Sequence, residues 1–379
     1  MIYFDNAATS GHKPKSVVNA VNFSLKNLST NPGRSGHLIS SKAAQIVYNA
    51  REKVSDFFGS DGAETVVFTH NCTQSINFVL KGVLEKSDHI IVSDLEHNAV
   101  MRPLYSMGIE YDTAYVSLTD DNETFENFKN LIKPNTKMIF CTAASNVLGK
   151  KLPLKLIGDL CKKRNILFGV DAAQGAGHIP INMQNMNIDY LCIAPHKGLY
   201  CPMGFGILIA RAPIKKTIIE GGTGSSSIYF NQPDTLPEML ESGTLNLPAI
   251  SSVNSGIDFI KNKINNYLNY ENYLVKRFYY GLKKCNAIVY TNPNQNNYVP
   301  VFSFNIKNAS SDDVGKYLNY KGFALRTGLH CAPTAHKKIG TLKHGTVRFS
   351  PSIFNSVYEV DLLIENLKNF QKNYKFSID

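Results

Sequence analysis

The chain lacks the sequence features of membrane and secreted proteins. No apolar stretch approaches the roughly 20 residues that a membrane-spanning helix needs, and residues 1–6 show no basic segment followed by an apolar one. The seven cysteines are an odd number without CxxC spacing, which argues against a disulfide framework and against a zinc site. We therefore expect a protein of the reducing cytoplasm that holds no metal.

The chain also lacks any concentration of positive charge. Its net charge of +10 and pI of about 9.1 would suit nucleic-acid binding, but no run of lysines is longer than two. We expect neither nucleic acid nor a membrane as a partner. The 379 residues exceed what one core usually fills, so two domains are expected.

What the chain does contain is a regular alternation of strands and helices over its first 210 residues. Apolar β-branched runs, such as 89–92, 137–142 and 166–170, alternate with helical periods such as 40–58 and 154–164. This pattern is typical of an α/β protein whose mainly parallel sheet is covered on both faces. Ligands of such sheets bind at the carboxyl ends of the strands.

The pattern changes at about residue 248 and predicts a smaller α+β domain. The predicted elements are a long helix, a strand at 300–304, a helix at 311–319, strands at 322–326 and 345–349, and a last helix at 356–370. A loop is predicted at 327–333, which glycine and proline interrupt.

Lys197 and Asp171 each follow an apolar run that predicts a buried strand. Asp171 ends the run 166–170, and His196-Lys197 follows the run 190–193. Each residue alone is more often a surface lysine or a capping aspartate. Together at one sheet edge they are what a pyridoxal phosphate (PLP) enzyme needs. The lysine amine forms a Schiff base with the cofactor, and the carboxylate keeps the pyridinium nitrogen protonated.

Other positions suit the same cofactor, although each has an ordinary structural alternative. Thr73, beside Cys72 at a strand-to-helix junction, suits a phosphate or is a plain N-cap. His97 would stack on a planar ring or is a loop histidine. Asn146 and Gln174 would reach a phenolic oxygen or are turn residues.

Several motifs together resemble the class V aminotransferase-fold PLP enzymes. They appear in the family's order: Asp5-Asn6-Ala7-Ala8, Glu96-His97, Asn146-Val147-Leu148-Gly149, Asp171-Ala172-Ala173-Gln174 and His196-Lys197. More narrowly, the segment Arg326-Thr327-Gly328-Leu329-His330-Cys331-Ala332 resembles the signature of the SufS-type (group II) cysteine desulfurases and selenocysteine lyases. The resemblance covers essentially the whole chain.

The resemblance implies a PLP-dependent transferase of fold type I. Residues 13–250 would form a large PLP-binding domain with a mainly parallel seven-stranded sheet. Residues 1–12 and 251–379 would form a small α+β domain that carries the cysteine loop and the substrate arginine. The enzyme would be a homodimer with its active sites near the subunit interface.

The resemblance also implies a role for each candidate residue. For the cofactor, these are Lys197 as the Schiff-base lysine, Asp171 at the pyridinium nitrogen, His97 stacked on the ring, Gln174 at the phenolic oxygen, Asn146 and Cys72 close by, and Thr73, His196 and Thr223 of the partner subunit at the phosphate. For the substrate, they are Arg348 at the carboxylate, together with Asn146, Arg326 and His330.

Cys331 decides the reaction that the resemblance implies. Lys197 removes the α-proton of L-cysteine, and the Cys331 thiolate attacks the substrate sulfur. Alanine is then released, and a persulfide stays on Cys331. A sulfur-acceptor protein would then collect the sulfur for iron–sulfur clusters or other sulfur-containing cofactors. Because the attack needs a thiolate, we expect positive charge around Cys331, with Arg326, His330 and Arg348 as candidates.

Two positions depart from the family pattern, and alternatives stay open. Ala194 stands where many relatives have a phosphate-binding serine, so that one phosphate bond is either missing or supplied by Thr223 and Ser225. Leu329 stands where a second histidine is common. One alternative is a selenocysteine lyase. Another is a class V PLP aminotransferase or lyase in which Cys331 is not catalytic. A third is a non-catalytic scaffold for a sulfur-trafficking partner.

Overall fold

The structure is a computed structural model that describes residues 1–225, 227–295 and 297–373. The strands are β1 (Ile2–Tyr3), β2 (Val66–Thr69), β3 (His89–Ser93), β4 (Glu110–Ala114), β5 (Thr136–Thr142), β6 (Leu167–Asp171), β7 (Tyr190–Ile193), β8 (Gly206–Ala210), β9 (Ala287–Val289), β10 (Phe302–Ile306), β11 (Phe323–Ala324), β12 (Arg326–Gly328) and β13 (Thr346–Phe349).

The helices follow in the same order. They are α1 (Lys15–Asn27), α2 (Leu38–Phe58), α3 (Cys72–Val83), α4 (Asn98–Met107), α5 (Asp121–Asn130), α6 (Leu154–Arg164), α7 (Leu247–Ile250), α8 (Val253–Ile260), α9 (Ile264–Leu282), α10 (Ser311–Tyr320), α11 (Pro333–Lys338) and α12 (Val357–Asn373), with a short 3-10 helix at Ala63–Thr65. No helix in the described ranges has both the length and the apolar character that a membrane span requires.

A seven-stranded sheet forms the centre of the molecule, in the order β2-β8-β7-β6-β5-β3-β4. β8 runs antiparallel to both of its neighbours, and the other pairings are parallel. Alternate residues of the strands enter different cores. Ile139 and Phe168 join one apolar cluster, and Met138 and Phe140 join the other. The predicted mainly parallel α/β sheet, with both faces covered, is confirmed.

A second, antiparallel sheet has the order β12-β13-β10-β9 and packs with α9, α10 and α12 around its own apolar cluster. The N-terminal strand β1 pairs in parallel with β11, so the N-terminal segment joins the unit formed after residue 261. Helix α8 packs against α2 and joins the core of the large sheet. We therefore propose that the boundary between the two units lies near residue 261 rather than at 250.

The predicted elements after residue 248 differ from the observed ones in several places, and the strand β9 was not predicted. The long helix is divided into α8 and α9, because α8 packs against α2 whereas α9 packs against α12. The strand at 322–326 is two short strands in different sheets, β11 and β12. The short helix α11 directly follows the predicted loop at 327–333 and was not predicted.

Candidate active site

The carboxyl ends of the parallel strands border a cavity of about 140 Å3. The cavity is lined by eight of the predicted site residues: Cys72, Thr73, His97, Asn146, Asp171, Gln174, His196 and Lys197. Ala194, at the position of the expected serine, lines it as well. These residues lie up to 125 positions apart in the sequence, from 72 to 197, and the parallel sheet brings them together because its strands all end at this edge.

Asp171 and Lys197 lie next to each other in this cavity. Asp171 closes β6, is 4% exposed and accepts hydrogen bonds from the Ala173 amide (2.9 Å) and the Cys72 thiol (3.7 Å). Burial lowers the pKa of Lys197, while the nearby carboxylate of Asp171 opposes that shift. Burial raises the pKa of Cys72 well above its usual range, so this thiol stays protonated.

His97 has a fixed orientation because its ring caps helix α4. Its Nδ1 accepts a hydrogen bond from the Ala99 amide at 3.0 Å, which leaves the proton of a neutral ring on Nε2. Burial lowers the pKa of His97. A neutral imidazole of known tautomer therefore stands at the wall of the cavity.

The opposite end of the cavity offers several hydrogen-bond donors. Asn71 caps α3, since its Oδ1 accepts from the Gln74 amide at 2.9 Å, and the alternative of Thr73 as the cap is therefore wrong. Thr73 lies in the first turn, where backbone amides favour an anion. His196 Nδ1 is buried and has no hydrogen-bond partner among the described residues. Burial lowers the pKa of His196 to about 4, so its ring is neutral.

Cys331 opens on a second, outer cavity of about 380 Å3. Thr73 and His97 line both cavities, so the outer cavity adjoins the inner one. The thiol is exposed, and Arg326 Nη2 donates to Cys331 Sγ at 3.5 Å. An accessible sulfur with a guanidinium beside it thus stands at the entrance to the cavity of Lys197.

Arg348 is fully buried on β13, directly opposite Arg326 on β12. Its Nη2 donates to Asp5 Oδ1 at 2.6 Å and its Nη1 to the Asn146 carbonyl at 3.1 Å. Its Nε is buried without a hydrogen-bond partner in the part of the chain that the structure describes. One N–H of the buried guanidinium is therefore without a partner among the described residues, although Arg348 itself lines neither cavity.

Five predicted site residues do not line this cavity: Thr223, Arg326, His330, Cys331 and Arg348. His330 is 2% exposed, its Nε2 is 3.0 Å from Thr346 Oγ1, and burial lowers its pKa to about 2. The prediction that His330 supplies positive charge to Cys331 is wrong, because the buried ring is neutral. Thr223 lines a separate cavity with Arg34 and Arg51.

The sequence interpretation missed three features of the site. The Asn98 amide donates to the Cys331 carbonyl at 2.7 Å. Asp5 pairs with Arg348, although only its place in the Asp5-Asn6-Ala7-Ala8 motif drew attention to it. His178 and Glu271 line a small cavity that also touches Lys197, and no motif signals this pair.

Comparison with known proteins decides the family. The family profile described as aminotransferase class-V matches residues 2–363. The chain belongs to the aminotransferase class-V family. A relative within it, the probable cysteine desulfurase of Borreliella burgdorferi, is 32% identical over 398 residues, covering 98% of this chain and 92% of that protein.

Solved structures of class-V aminotransferase relatives agree with the fold. The apo structure of the cysteine desulfurase from Thermococcus onnurineus NA1 has a TM-score of 0.85 at 29% identity and covers 98% of this chain and 95% of that one. The structure of the cysteine desulfurase CsdA from Escherichia coli has a TM-score of 0.85 at 25% identity and covers 97% and 94%. The predicted family and fold are confirmed.

Class-V aminotransferases of the cysteine desulfurase type are PLP-dependent, and the residues present here fit that cofactor. Lys197 and Asp171 both line the cavity and interact electrostatically. A helix N-terminus and the unpartnered Nδ1 of His196, which line the same cavity, suit a phosphate. A neutral ring at the wall suits stacking against a planar cofactor.

Proposed function

We propose that this chain is a cysteine desulfurase, which converts L-cysteine to L-alanine and receives the sulfur on Cys331 as a persulfide. One observation carries the proposal. The exposed thiol of Cys331 opens on a cavity that shares Thr73 and His97 with the cavity of Lys197. The sulfur of a substrate bound in the inner cavity therefore has a nucleophile, the Cys331 thiol, at the entrance to that cavity.

Lys197 is the residue that would hold PLP through its ε-amine, with Asp171 at the pyridinium nitrogen. Bound PLP supplies an electron sink for negative charge at the substrate α-carbon. The lowered pKa of Lys197 favours a neutral amine, and a neutral amine can accept the α-proton and later return a proton. His97 would lie against the cofactor ring, with Thr73 and His196 at the phosphate.

Arg348 and Asn146 would orient the substrate by its carboxylate. Arg348 lies beside Asn146, and its Nε–H is unused among the described residues.

The Cys331 thiolate then attacks the substrate sulfur: an S–S bond forms, the C–S bond breaks, and the carbon takes up a proton to give alanine. The guanidinium of Arg326 donates to Cys331 Sγ at 3.5 Å and places a positive charge beside the attacking sulfur.

The proposal includes a homodimer and a sulfur-acceptor protein. Thr223 lies away from its own chain's inner cavity, and the nearby side chains of Ile228, Tyr229 and Phe230 are 83%, 72% and 109% exposed. Apolar side chains so exposed favour contact with a second copy. The exposure of Cys331 at an open cavity supports transfer of its sulfur to another protein.

The test is to incubate the PLP-loaded protein with L-cysteine and measure alanine, with mass spectrometry for one added sulfur on the Cys331 peptide. We expect Cys331→Ser and Lys197→Ala to abolish alanine formation, and Cys285→Ser, which changes a cysteine outside both cavities, to preserve it. Full desulfuration by Cys331→Ser would contradict the proposal and favour a PLP lyase. A parallel reaction with L-selenocysteine measures the preference between the two substrates.

A further inference from the structure

Asn146 connects the inner cavity with the loop that carries Cys331. Its side chain lines the cavity, and its Nδ2 donates to the His330 carbonyl at 2.7 Å. Its own carbonyl accepts from Arg348 Nη1 at 3.1 Å. One residue thus contacts both the arginine proposed to bind the substrate and the residue before the nucleophile.

The turn that carries Asn146 is held firmly from both sides. Ser145 is fully buried, and its Oγ accepts from the amides of Val147 (3.2 Å) and Leu148 (3.1 Å). From the second sheet, Ser303 Oγ donates to the Val147 carbonyl at 2.6 Å. Asn146 is therefore a fixed point from which its amide can hold a neighbouring segment.

The nucleophile loop, residues 329–332, has a backbone that needs such support. His330 and Cys331 have φ angles of +48° and +58°, and side chains rarely adopt this left-handed region. Three hydrogen bonds from outside the loop hold its carbonyls: Asn146 Nδ2 to His330 and the Asn98 amide to Cys331, both at 2.7 Å, and the His336 amide to Ala332 at 3.2 Å. Of these three donors, only the Asn146 donor is a side chain, and only Asn146 lines the inner cavity.

We propose that Asn146 is a positioning residue for sulfur transfer: its amide holds the His330 carbonyl and keeps the Cys331 thiol at the cavity entrance until the substrate carboxylate takes over that amide. This inference rests on the proposed function, because it assigns the carboxylate of L-cysteine to Arg348 and Asn146. Substrate binding then releases one tether of the nucleophile loop when the thiol has to reach the sulfur.

Hydrogen–deuterium exchange of the peptide that spans the loop tests the tether without any turnover. We expect Asn146→Ala and the isosteric Asn146→Asp, which lacks the amide donor, to exchange about 2- to 10-fold faster than the wild type, as one lost hydrogen bond implies. Saturating L-alanine, which has the carboxylate but no sulfur, should accelerate exchange in the wild type and not in the variants. Asn77→Ala is the control, since Asn77 lines the outer cavity but its amide bonds to the Thr73 carbonyl.

A kinetic comparison separates positioning from substrate binding. Exchange of the α-proton of L-alanine in D2O needs Lys197 and not Cys331, whereas persulfide formation needs both. We expect the Asn146 variants to slow persulfide formation more than α-proton exchange. Equal slowing of the two, or loop exchange at the wild-type rate, overturns the inference. A protein that forms no alanine from L-cysteine refutes the proposed function, and loop exchange still decides the tether.

Discussion

The carboxylate of Asp5 and the guanidinium of Arg348 form a largely buried ion pair, 2.6 Å between Oδ1 and Nη2. Asp5 lies just after β1, and Arg348 lies on β13, whose neighbour Arg326 adds a second positive charge. Burial lowers the pKa of Arg348 and Asp5 raises it. The pair therefore fixes the N-terminus to the second sheet and balances the charge of the arginine.

Asp5→Asn should destabilise the folded protein by about 2–3 kcal/mol, because it leaves a buried guanidinium without its counter-charge. Denaturant unfolding of the cofactor-free protein measures this. Asp361→Asn is the matched control, since Asp361 pairs with Arg277 at the same 2.6 Å but both side chains are about 40% exposed. That change should cost less than about 1 kcal/mol. Equal effects of the two substitutions would contradict the argument.

Glu271 makes the stability of the fold depend on pH. It is 1% exposed, its Oε1 accepts from the Ile353 amide at 3.1 Å, and its Oε2 faces His178 Nε2 at 3.6 Å without a hydrogen bond. Burial raises the pKa of Glu271 to about 8 and lowers the pKa of His178 to about 4. Tyr200 and Lys197 line the same cavity. Between these pKa values both groups are neutral, so the pair carries no ionic attraction.

Glu271 should make the wild type progressively less stable relative to Glu271→Gln as the pH rises from about 4.5 to about 8, since the unfolded chain ionises this carboxyl and the folded chain does not. The contribution is complete below the unfolded pKa and is lost as the pH passes through the folded one. Glu271→Gln removes this titration, so the slopes of the two curves should differ by up to about 1.4 kcal/mol per pH unit in this range. Denaturant midpoints measured at pH 5 to 9 test this, with the exposed Glu126→Gln as control. Parallel curves for wild type and Glu271→Gln would refute it.

The sequence predicted the inner cavity well, because one rule covers it. Asp171, Lys197 and His97 follow apolar strands, and parallel strands end at one edge of a sheet. The mainly parallel sheet followed in the same way from apolar runs that alternate with helical periods, whereas its seven strands were implied by the family resemblance. Local sequence patterns were therefore sufficient to predict those site residues that lie at the ends of strands.

The remaining features depend on contacts that local patterns do not contain. Asp5 and Arg348 are 343 positions apart, and they are brought together by the pairing of β1 with β11 and by backbone hydrogen bonds between residues 4–6 and Ser350. His330 and Cys331 are neighbours, yet one side chain is buried and the other exposed. Because neither residue is a glycine, the sequence does not indicate their left-handed φ angles.

His97 has two functions that substitutions can separate: its ring lines the cavity, and its Nδ1 caps α4. His97→Asn keeps a capping acceptor and loses the ring, so stability should hold while PLP affinity falls about 2- to 10-fold, as the loss of one stacked ring implies. His97→Phe keeps a ring and loses the cap, so PLP affinity should hold while stability falls by about 1 kcal/mol. PLP titration and thermal unfolding of the cofactor-free proteins measure the two effects. A single variant that loses both properties would show that they are not separable.

Ala194 offers a gain-of-function test of the phosphate end of the cavity. It lines the cavity beside His196, at the position where the family resemblance predicts a serine. A hydroxyl there would add one hydrogen bond to a charged phosphate, worth about 1.5–3 kcal/mol, so Ala194→Ser should bind PLP at least about 10-fold more tightly. Ala194→Cys has nearly the same shape but only a weak donor, and it should leave the affinity close to that of the wild type. If the serine and cysteine variants bind PLP equally well, the phosphate does not lie beside residue 194, and its assignment to Thr73 and His196 fails with it.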